Sequence, residues 1–371
     1  MNTPAVEPRL TEYLYRKAAA AGVSLSGTFE LTPVCNMDCK MCYVRMSRQQ
    51  QQSIAPLKTG EAWLELAQRA KDAGMLYLLL TGGEPFLHPH FRQIMEGLHK
   101  MGLLISINSN GTLIDAQTVA WLKQCPPVRI NISLYGADND TYGRLCSNPQ
   151  GFSQTCTAIT MLQEAGIPVK LNCSLTPYNA EQLPQMVDFA KKRNLPIQVA
   201  EYMFPPVRKD PANVGRNDRL DPETAAWYTA YTQYLLLGKE RFLERGCQAV
   251  CIPDPDEDCA GLGDGIRCRA GRCSFWITWQ GDMLPCGMLP AAHAPNVFTC
   301  DFTDAWEQVK EQTAQIRLPA ACSSCAAKDD CRACAAMVWT ESGNFEKVPQ
   351  YRCRMTQAYP GQWQRVKEDI L

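Results

Sequence analysis

The sequence predicts an α/β fold: a parallel sheet with helices outside it, followed by a small cysteine-rich module. Three observations carry that prediction. Six strand-like segments alternate with helix-like segments from Thr28 to about Met203. No antiparallel hairpin signal interrupts them, so successive strands are joined by helical crossovers. Ten of the nineteen cysteines fall between Cys259 and Cys353, well beyond the last of those strands.

The strand candidates are 28–33, 76–81, 103–109, 128–134, 168–175 and 197–202. Tyr77-Leu78-Leu79-Leu80 and Val128-Arg129-Ile130-Asn131-Ile132 have the apolar, partly β-branched character of buried strands. Helix candidates lie near 60–73, 90–101, 115–123, 152–165 and 180–193. Asp115 is a suitable N-cap for one of them. Gly102 and Gly166 follow two others as C-terminal caps. Gln49 to Gln52 reads as a short polar loop. Residues 204–222 contain Phe204-Pro205-Pro206-Val207, Asp210-Pro211 and Asp221-Pro222, a long loop placed to cross the barrel mouth. A helix follows over about 222–245, opening with Asp221-Pro222-Glu223 in N-cap order. The expected organisation is an N-terminal extension (1–27), a core barrel (28–203), a loop and linker helix (204–258) and a cysteine-rich domain (259–371).

Bulk properties exclude several classes. Apolar content of 46% is that of a globular chain with a core, and a net charge of −1 does not point to nucleic acid or an anionic membrane surface. No run of 18 apolar residues exists, and Met1 to Gly22 holds no signal-peptide core. The expected location is therefore cytoplasmic, where nineteen cysteines suit metal binding better than disulfides.

The run Cys35-Asn36-Met37-Asp38-Cys39-Lys40-Met41-Cys42 follows the first strand. Three thiolates spaced C-x3-C-x2-C can hold three irons of a [4Fe–4S] cube and leave the fourth iron without a protein ligand. A structural zinc site is the alternative, but it wants a fourth ligand nearby, and the next Cys or His is His88. The loop after a barrel's first strand lies on the face where such barrels do chemistry.

This pattern resembles the signature of radical S-adenosylmethionine (radical SAM) enzymes. The resemblance covers roughly 28–203 and implies a partial (β/α)6 barrel, open at one side. It also implies that the open iron chelates the amino and carboxylate groups of S-adenosylmethionine. One electron then cleaves the sulfonium to a 5′-deoxyadenosyl radical. The family often has an aromatic before the third cysteine; here that residue is Met41, and Tyr43 is the candidate to share its task near adenine. Thr81-Gly82-Gly83-Glu84-Pro85 matches the family's GGEP motif, and its glycines let backbone carbonyls approach the cofactor ammonium. Asn108-Ser109-Asn110-Gly111-Thr112 ends the third strand, and its Ser109 and Asn110 suit ribose hydroxyls. Ser133 resembles the ribose-contacting serine after the fourth strand. Arg144 resembles an arginine that pairs with the cofactor carboxylate. Thr176, Asn179 and Glu201 follow the last strands and are expected at the same mouth, with Glu201 the catalytic candidate. His88 and His90 read as helix-start residues.

The C-terminal spacing is Cys268-x4-Cys273, Gly281-x4-Cys286, then Cys322-x2-Cys325-x5-Cys331-x2-Cys334, and finally Cys353. It is similar to the SPASM domain, which carries two auxiliary [4Fe–4S] clusters. By that resemblance Cys268, Cys273, Cys286 and Cys334 bind the first cluster, and Cys322, Cys325, Cys331 and Cys353 the second. Two departures matter. The last gap is two residues where the family has three, and Cys273 can be a bystander that leaves an open iron. Zinc would also be served by C-x2-C-x5-C-x2-C. Cys125, Cys146, Cys156, Cys173 and Cys300 read as small core or surface residues. Cys247, Cys251 and Cys259 are candidates to replace a ligand or to hand a hydrogen atom to a radical.

The resemblance implies an oxidoreductase with three [4Fe–4S] clusters and S-adenosylmethionine, supplied by a flavodoxin- or ferredoxin-type electron donor. SPASM-bearing relatives mostly oxidise ribosomally made peptides or proteins, forming thioether or carbon–carbon crosslinks. Sulfatase-maturing relatives carry an Asp base directly after the third cysteine of the first auxiliary cluster. Here that residue is Gly287, and Asp282 is its weak substitute. The leading expectation is a peptide maturase that reads its substrate through the barrel, the 204–222 loop or a separate leader-binding protein. The alternatives are a dehydrogenase or epimerase of a small polar metabolite such as a sugar alcohol, and a non-catalytic metal scaffold.

Overall fold

The apolar alternation of the first two hundred residues builds six parallel strands: β1 (Ser26–Glu30), β2 (Tyr77–Thr81), β3 (Leu104–Ser109), β4 (Arg129–Ser133), β5 (Val169–Ser174) and β6 (Ile197–Ala200). The structure is a computed structural model and describes residues 9–216, 218–247, 265–291, 293–328 and 330–371. Two further strands, β7 (Ser274–Ile277) and β8 (Met283–Leu284), extend the sheet to the order β6-β5-β4-β3-β2-β1-β7-β8. β7 runs parallel to β1, with Thr28 opposite Trp276, and β8 returns antiparallel to it. The ladder therefore continues past the expected core boundary into the cysteine-rich segment. The hairpin between β7 and β8 turns at Gly281, whose φ of +103° and Phe298 neighbour 2.3 Å from an added Cβ both exclude a side chain.

Period-two alternation sorts each strand. Phe29, Leu78, Leu80, Ile105, Ile107, Ile130, Ile132, Val169 and Leu171 are buried under the helix layer. Helix Gly60–Asp72 presents Trp63, Leu66, Ala67 and Ala70 to that side, with Trp63 5.1 Å from Phe29. The intervening residues, such as Thr28, Glu30, Asn108, Asn131, Ser133 and Asn172, take the opposite, concave face.

Several expectations needed adjustment. Gln49–Gln52 is not loop; it lies in helix Arg48–Ile54, which Ser47 and Gln50 start with a reciprocal capping box. The 222–245 segment is two helices, Pro222–Leu237 and Lys239–Arg245, broken at Gly238 with φ +81° and ψ 165°. Asp115 and Asp221 do cap their helices, accepting from the Thr118 and Thr224 amides. The extension before β1 contains helix Leu10–Ala21, whose Tyr15 stacks on Tyr77 at 5.4 Å. The last helix, Gln350–Ile370, packs along Pro222–Leu237, and Trp363 stacks on Phe242 at 5.3 Å. No helix among the described residues is long and apolar enough to cross a membrane.

Candidate active site

The Cys35–Cys42 loop leaves β1 at the carboxyl end of the sheet and is pinned on both flanks. Met46 N–H bonds the Pro33 carbonyl at 2.9 Å. Asp38 N–H bonds the Cys146 carbonyl at 3.0 Å, and Lys40 N–H the Leu145 carbonyl at 3.1 Å. Inside the loop, Met37 N–H points at Cys35 Sγ (3.4 Å) and Arg45 N–H at Cys42 Sγ (3.3 Å). Burial pushes the Cys35 thiol up to about 12, with Glu84, Cys39 and Cys42 adding to the rise. The Cys39 thiol is raised by its hydrogen bond with Cys146 and by burial, and Cys42 by burial and Cys39. Three thiols that each resist ionisation beside one another become good ligands once a cation binds and displaces their protons.

The glycine motif braces this loop. A Cβ on Gly82 would lie 2.4 Å from the Thr32 carbonyl, and one on Gly83 2.4 Å from that of Val34. That close approach lets Gly83 N–H bond Thr32 O (2.6 Å) and Glu84 N–H bond Val34 O (2.9 Å). Glu84 is fully buried; its carboxylate accepts from Ser109 Oγ at 2.9 Å and Asn110 N–H at 2.8 Å. Burial lifts its pKa to about 7 against those hydrogen bonds. Pro85 opens the short 3₁₀ turn that follows. Ser109 therefore serves Glu84 rather than standing free for a ribose. Asn110 reaches Asn36 Oδ1 (2.9 Å) and Cys35 Sγ (3.8 Å). The two motifs form one scaffold behind Cys35.

Ser133 ends β4 half-buried, and its carbonyl accepts from Tyr142 Oη at 3.2 Å. Tyr135, two residues on, faces Cys39 and Cys42, and burial raises its pKa. Asn179 and Thr176 are buried structural links: Asn179 donates to the carbonyls of Tyr135 and Ser174 and accepts from the Thr176 amide. Two expectations are corrected. Arg144 is 54% exposed and pairs with Asp140 at 3.0 Å, one turn away on its own helix. Glu201 continues the helix-facing register of Val199 and meets Cys173, Thr232 and Arg352 instead of the mouth. His88 is buried with Nε2 at 3.1 Å from the Lys58 carbonyl, and His90 occupies the N-cap position of helix Phe91–Lys100 without a side-chain capping bond.

The C-terminal cysteines gather in two sets. Cys286 is pushed up to about 12 by burial, with Cys334 and Cys268 adding, and Cys334 to about 11 by burial and Cys268. Cys273 is elsewhere: it is fully buried at the foot of β7, packed with Ala18, Leu25 and Tyr15. Cys322 is raised by burial, Cys331 and Cys325, and Cys353 by burial, Cys331, Cys322 and Cys325. Cys247 is exposed, while Cys251 and Cys259 lie outside the described residues. Among the described residues no three His, Cys, Asp or Glu side chains are grouped to hold a single metal ion.

The sequence profile of the radical SAM superfamily matches residues 29–190, the stretch that carries the cysteine loop and the braced glycine motif. The chain belongs to the radical SAM superfamily. It is 24% identical over 344 residues to the AdoMet-dependent heme synthase of Methanosarcina barkeri, covering 87% of this chain and 94% of that protein. It is 25% identical over 267 residues to the antilisterial bacteriocin subtilosin biosynthesis protein AlbA of Bacillus subtilis. That match covers 72% of this chain but only 55% of AlbA. The crystal structure of Streptococcus suis SuiB bound to precursor peptide SuiA superposes with a TM-score of 0.66 at 20% identity, covering 95% of this chain and 82% of SuiB. Membership of the superfamily implies S-adenosylmethionine and a [4Fe–4S] cluster, and the Cys35, Cys39 and Cys42 donor set fits that cluster.

This radical SAM protein also has site residues that motif reading missed. Glu30, at the end of β1, is buried and accepts both guanidinium nitrogens of Arg208 at 2.9 Å and Trp276 Nε1 at 3.1 Å. Arg208 also donates to the Gly287 carbonyl at 3.1 Å, with its guanidinium 5.7 Å from the Tyr43 ring. Tyr43 thus stands between Cys42 and Cys286; burial and Glu30 raise its pKa while Arg208 lowers it. A Cβ at Gly287 would meet the Trp276 ring at 2.7 Å, so no acidic side chain fits there without displacing Trp276. Asp282 is held by Asn296 Nδ2 at 3.1 Å and packs beside Thr278 within the hairpin. No local pattern in the sequence marks Arg208 or Glu30; only the fold brings them together.

Proposed function

We propose that this protein is a radical SAM oxidoreductase with one catalytic and two auxiliary iron–sulfur clusters, acting on a ribosomally made peptide to form a crosslink or another oxidised linkage. The observation that carries the reading is the gathering of ten cysteines into three sets: Cys35, Cys39 and Cys42; Cys268, Cys286 and Cys334; and Cys322, Cys325, Cys331 and Cys353. Among the described residues the first two sets supply three thiols each and the last supplies four, so the first auxiliary site would have an open iron or take its fourth ligand from Cys251 or Cys259, outside those residues. Cys273 has no part in this assignment.

When bound, the catalytic cluster supplies one-electron reductive cleavage of S-adenosylmethionine and hydrogen abstraction from substrate. The chain's own part is placement. Glu84, Ser109 and Asn110 hold the cysteine loop; the Gly82 and Gly83 segment, Tyr43 and Ser133 border the space for the nucleoside and methionine. Gly287, with Trp276 filling the space beside it, leaves no protein base where a hydroxyl- or thiol-dehydrogenating relative would have one. That favours bond formation over dehydrogenation of an alcohol or thiol. AlbA and SuiB support a peptide by their names. Reductive cleavage needs a one-electron donor, for which we propose a protein of flavodoxin or ferredoxin type.

The near full-length match to an AdoMet-dependent heme synthase favours a second reading, a step of heme synthesis. Two measurements decide. Iron and sulfide per chain after anaerobic reconstitution should be about 12, falling to about 8 in the Cys35/Cys39/Cys42 triple-Ala variant. About 4 iron with stoichiometric zinc would remove the auxiliary clusters. Coexpression with small peptides encoded beside the gene, read by mass, should then give a loss of about 2 Da, two hydrogens per crosslink formed. Unmodified peptides, together with heme formation from a porphyrin precursor, would transfer the assignment to the second reading.

A further inference from the structure

We propose that Arg208 is a positioning residue: it straps the 204–216 segment across the open side of the sheet and holds a fixed positive charge between the Cys35/Cys39/Cys42 site and the first C-terminal cysteine set. The sheet does not close, for β6 and β8 are its two free edges. The strap leaves the β6 edge after Ala200, yet its Arg208 is anchored at the far side, on Glu30 of β1 and on the Gly287 carbonyl beyond β8. The anchor is a planar two-point fork on a carboxylate, which a lysine cannot reproduce. It is also sequestered, with side-chain exposures of 14% for Arg208 and 1% for Glu30. Against the opposing effect of burial, Glu30 lifts the pKa of Arg208, so the strap's cation is permanent.

The rest of the strap and Arg219 beyond it are held independently. Gly215 N–H bonds the Thr340 carbonyl at 2.9 Å, and Arg219 pairs with buried Glu341 at 3.5 Å. Loss of Arg208 therefore frees the first half of the strap and leaves the second half docked. The charge has two neighbours of consequence. Arg208 faces Cys286, one of the first-set thiols, and Tyr43, which adjoins Cys42. A cation beside a ligand sulfur favours the more negative, reduced state of a cluster bound there, since local charge is one of the determinants of cluster potential.

This inference rests on the cluster reading above, and its test separates the two. Arg208→Gln alone strands a buried carboxylate, so it is paired with the Glu30→Gln/Arg208→Gln double variant, which keeps the shape without the charges, and with Arg208→Lys. Hydrogen exchange across the strap is measured on anaerobically reconstituted enzyme. It should rise about tenfold or more over 204–210 in all three variants, with 213–216 and the barrel unchanged. The midpoint potential of the first auxiliary cluster is assigned by subtracting the spectrum of Cys286→Ala. It should fall in Arg208→Gln, which leaves the negative charge of Glu30 uncompensated, and stay near the parent value in Arg208→Lys. Unchanged exchange at 204–210 in the double variant and an unchanged potential in Arg208→Gln would overturn the proposal. A uniform rise over the whole chain would also overturn it, assigning Arg208 a general folding role. Iron content that stays at about 4 per chain would sink the cluster reading instead, while the exchange arm still tests the strap.

Discussion

The N-terminal cysteine loop and the second C-terminal cysteine set place similar thiols by opposite means. Around Cys35, Cys39 and Cys42 the polypeptide supplies the bracing: Glu84, Asn110 and the carbonyls of Leu145 and Cys146 reach in from other strands and helices, Asn110 donating to Asn36 of the loop. Around Cys322, Cys325 and Cys331 the main-chain bonds are short-range turns, such as Cys325 N–H to Cys322 O and Cys331 N–H to Ala327 O. The long-range link in that set is Cys353, on the final helix. The first site is preorganised by its fold, whereas among the described residues the second shows mainly local main-chain bonds, so a group bound to its thiols would be part of its brace. Where a ligand replaces hydrogen bonds as the brace, binding energy is folding energy.

The largest expected effect follows from that contrast. Iron-free protein should be cleaved by protease between about 316 and 334 while the barrel stays intact, and reconstitution should abolish the cleavage. Replacing Cys322, Cys325, Cys331 and Cys353 by Ala should remove about 4 iron and leave the segment labile even after reconstitution. The Cys35/Cys39/Cys42 triple-Ala variant should also lose about 4 iron, and all reductive cleavage of S-adenosylmethionine, without changing the proteolysis pattern. Equal lability of both regions in the iron-free protein would break the comparison.

The same contrast explains what could be read from the sequence. β2 to β5, the cysteine loop and the glycine motif were legible because local spacing encodes them: apolar alternation makes a strand, and C-x3-C-x2-C fixes three thiols on one loop. β7 was not legible, because Ser274-Phe275-Trp276-Ile277 becomes a strand only by finding the edge of β1, some 245 residues earlier. Glu201 was misread for a related reason: one residue of register decides which face of β6 it takes, and the sequence does not show where the strand's pleat ends. Cys273 sits in a convincing cysteine spacing but alternates onto the face of Phe275, away from Cys286. Arg208 and Glu30 are 178 residues apart, and no periodicity relates them.

Bracing by the fold can be probed at Gly83. An added Cβ would meet the Val34 and Pro33 carbonyls at 2.4 and 2.6 Å, both rigid backbone atoms. Gly83→Ala should therefore cost about 1–3 kcal/mol, as overpacking does, and lower iron at the first site. Gly102→Ala is the control: nothing lies within 4 Å, and only the positive φ of 75° opposes it, at about 1 kcal/mol without loss of iron. Equal iron loss in the two variants would deny Gly83 its bracing role.

A smaller effect belongs to the seam where the final helix leans on the barrel. Burial raises Glu201 to about 7, against the opposing pull of Thr232 and Arg352. With a folded pKa above the unfolded value near 4.3, the native state binds more protons between the two. Its stabilising contribution is thus complete below about pH 4 and is lost as pH rises through about 7. Glu201→Gln should flatten that part of the thermal stability profile, by at most about 4 kcal/mol. Its rate of S-adenosylmethionine cleavage should match the parent, because the side chain faces Thr232 and not the mouth. A large loss of rate with unchanged stability would return Glu201 to the catalytic site.

The smallest effect is expected at Arg144. Its guanidinium is 54% exposed and bonded to Asp140 and Thr141 on the same helix turn. An exposed pair of that spacing contributes about 0.3–0.5 kcal/mol, and salt screens it. Arg144→Ala should therefore shift stability by no more than that, with binding of S-adenosylmethionine to the reconstituted protein unchanged by equilibrium dialysis. If binding weakens tenfold or more instead, Arg144 must leave Asp140 when the cofactor arrives. Part of the first site would then be assembled by its ligand, as the second C-terminal set would be.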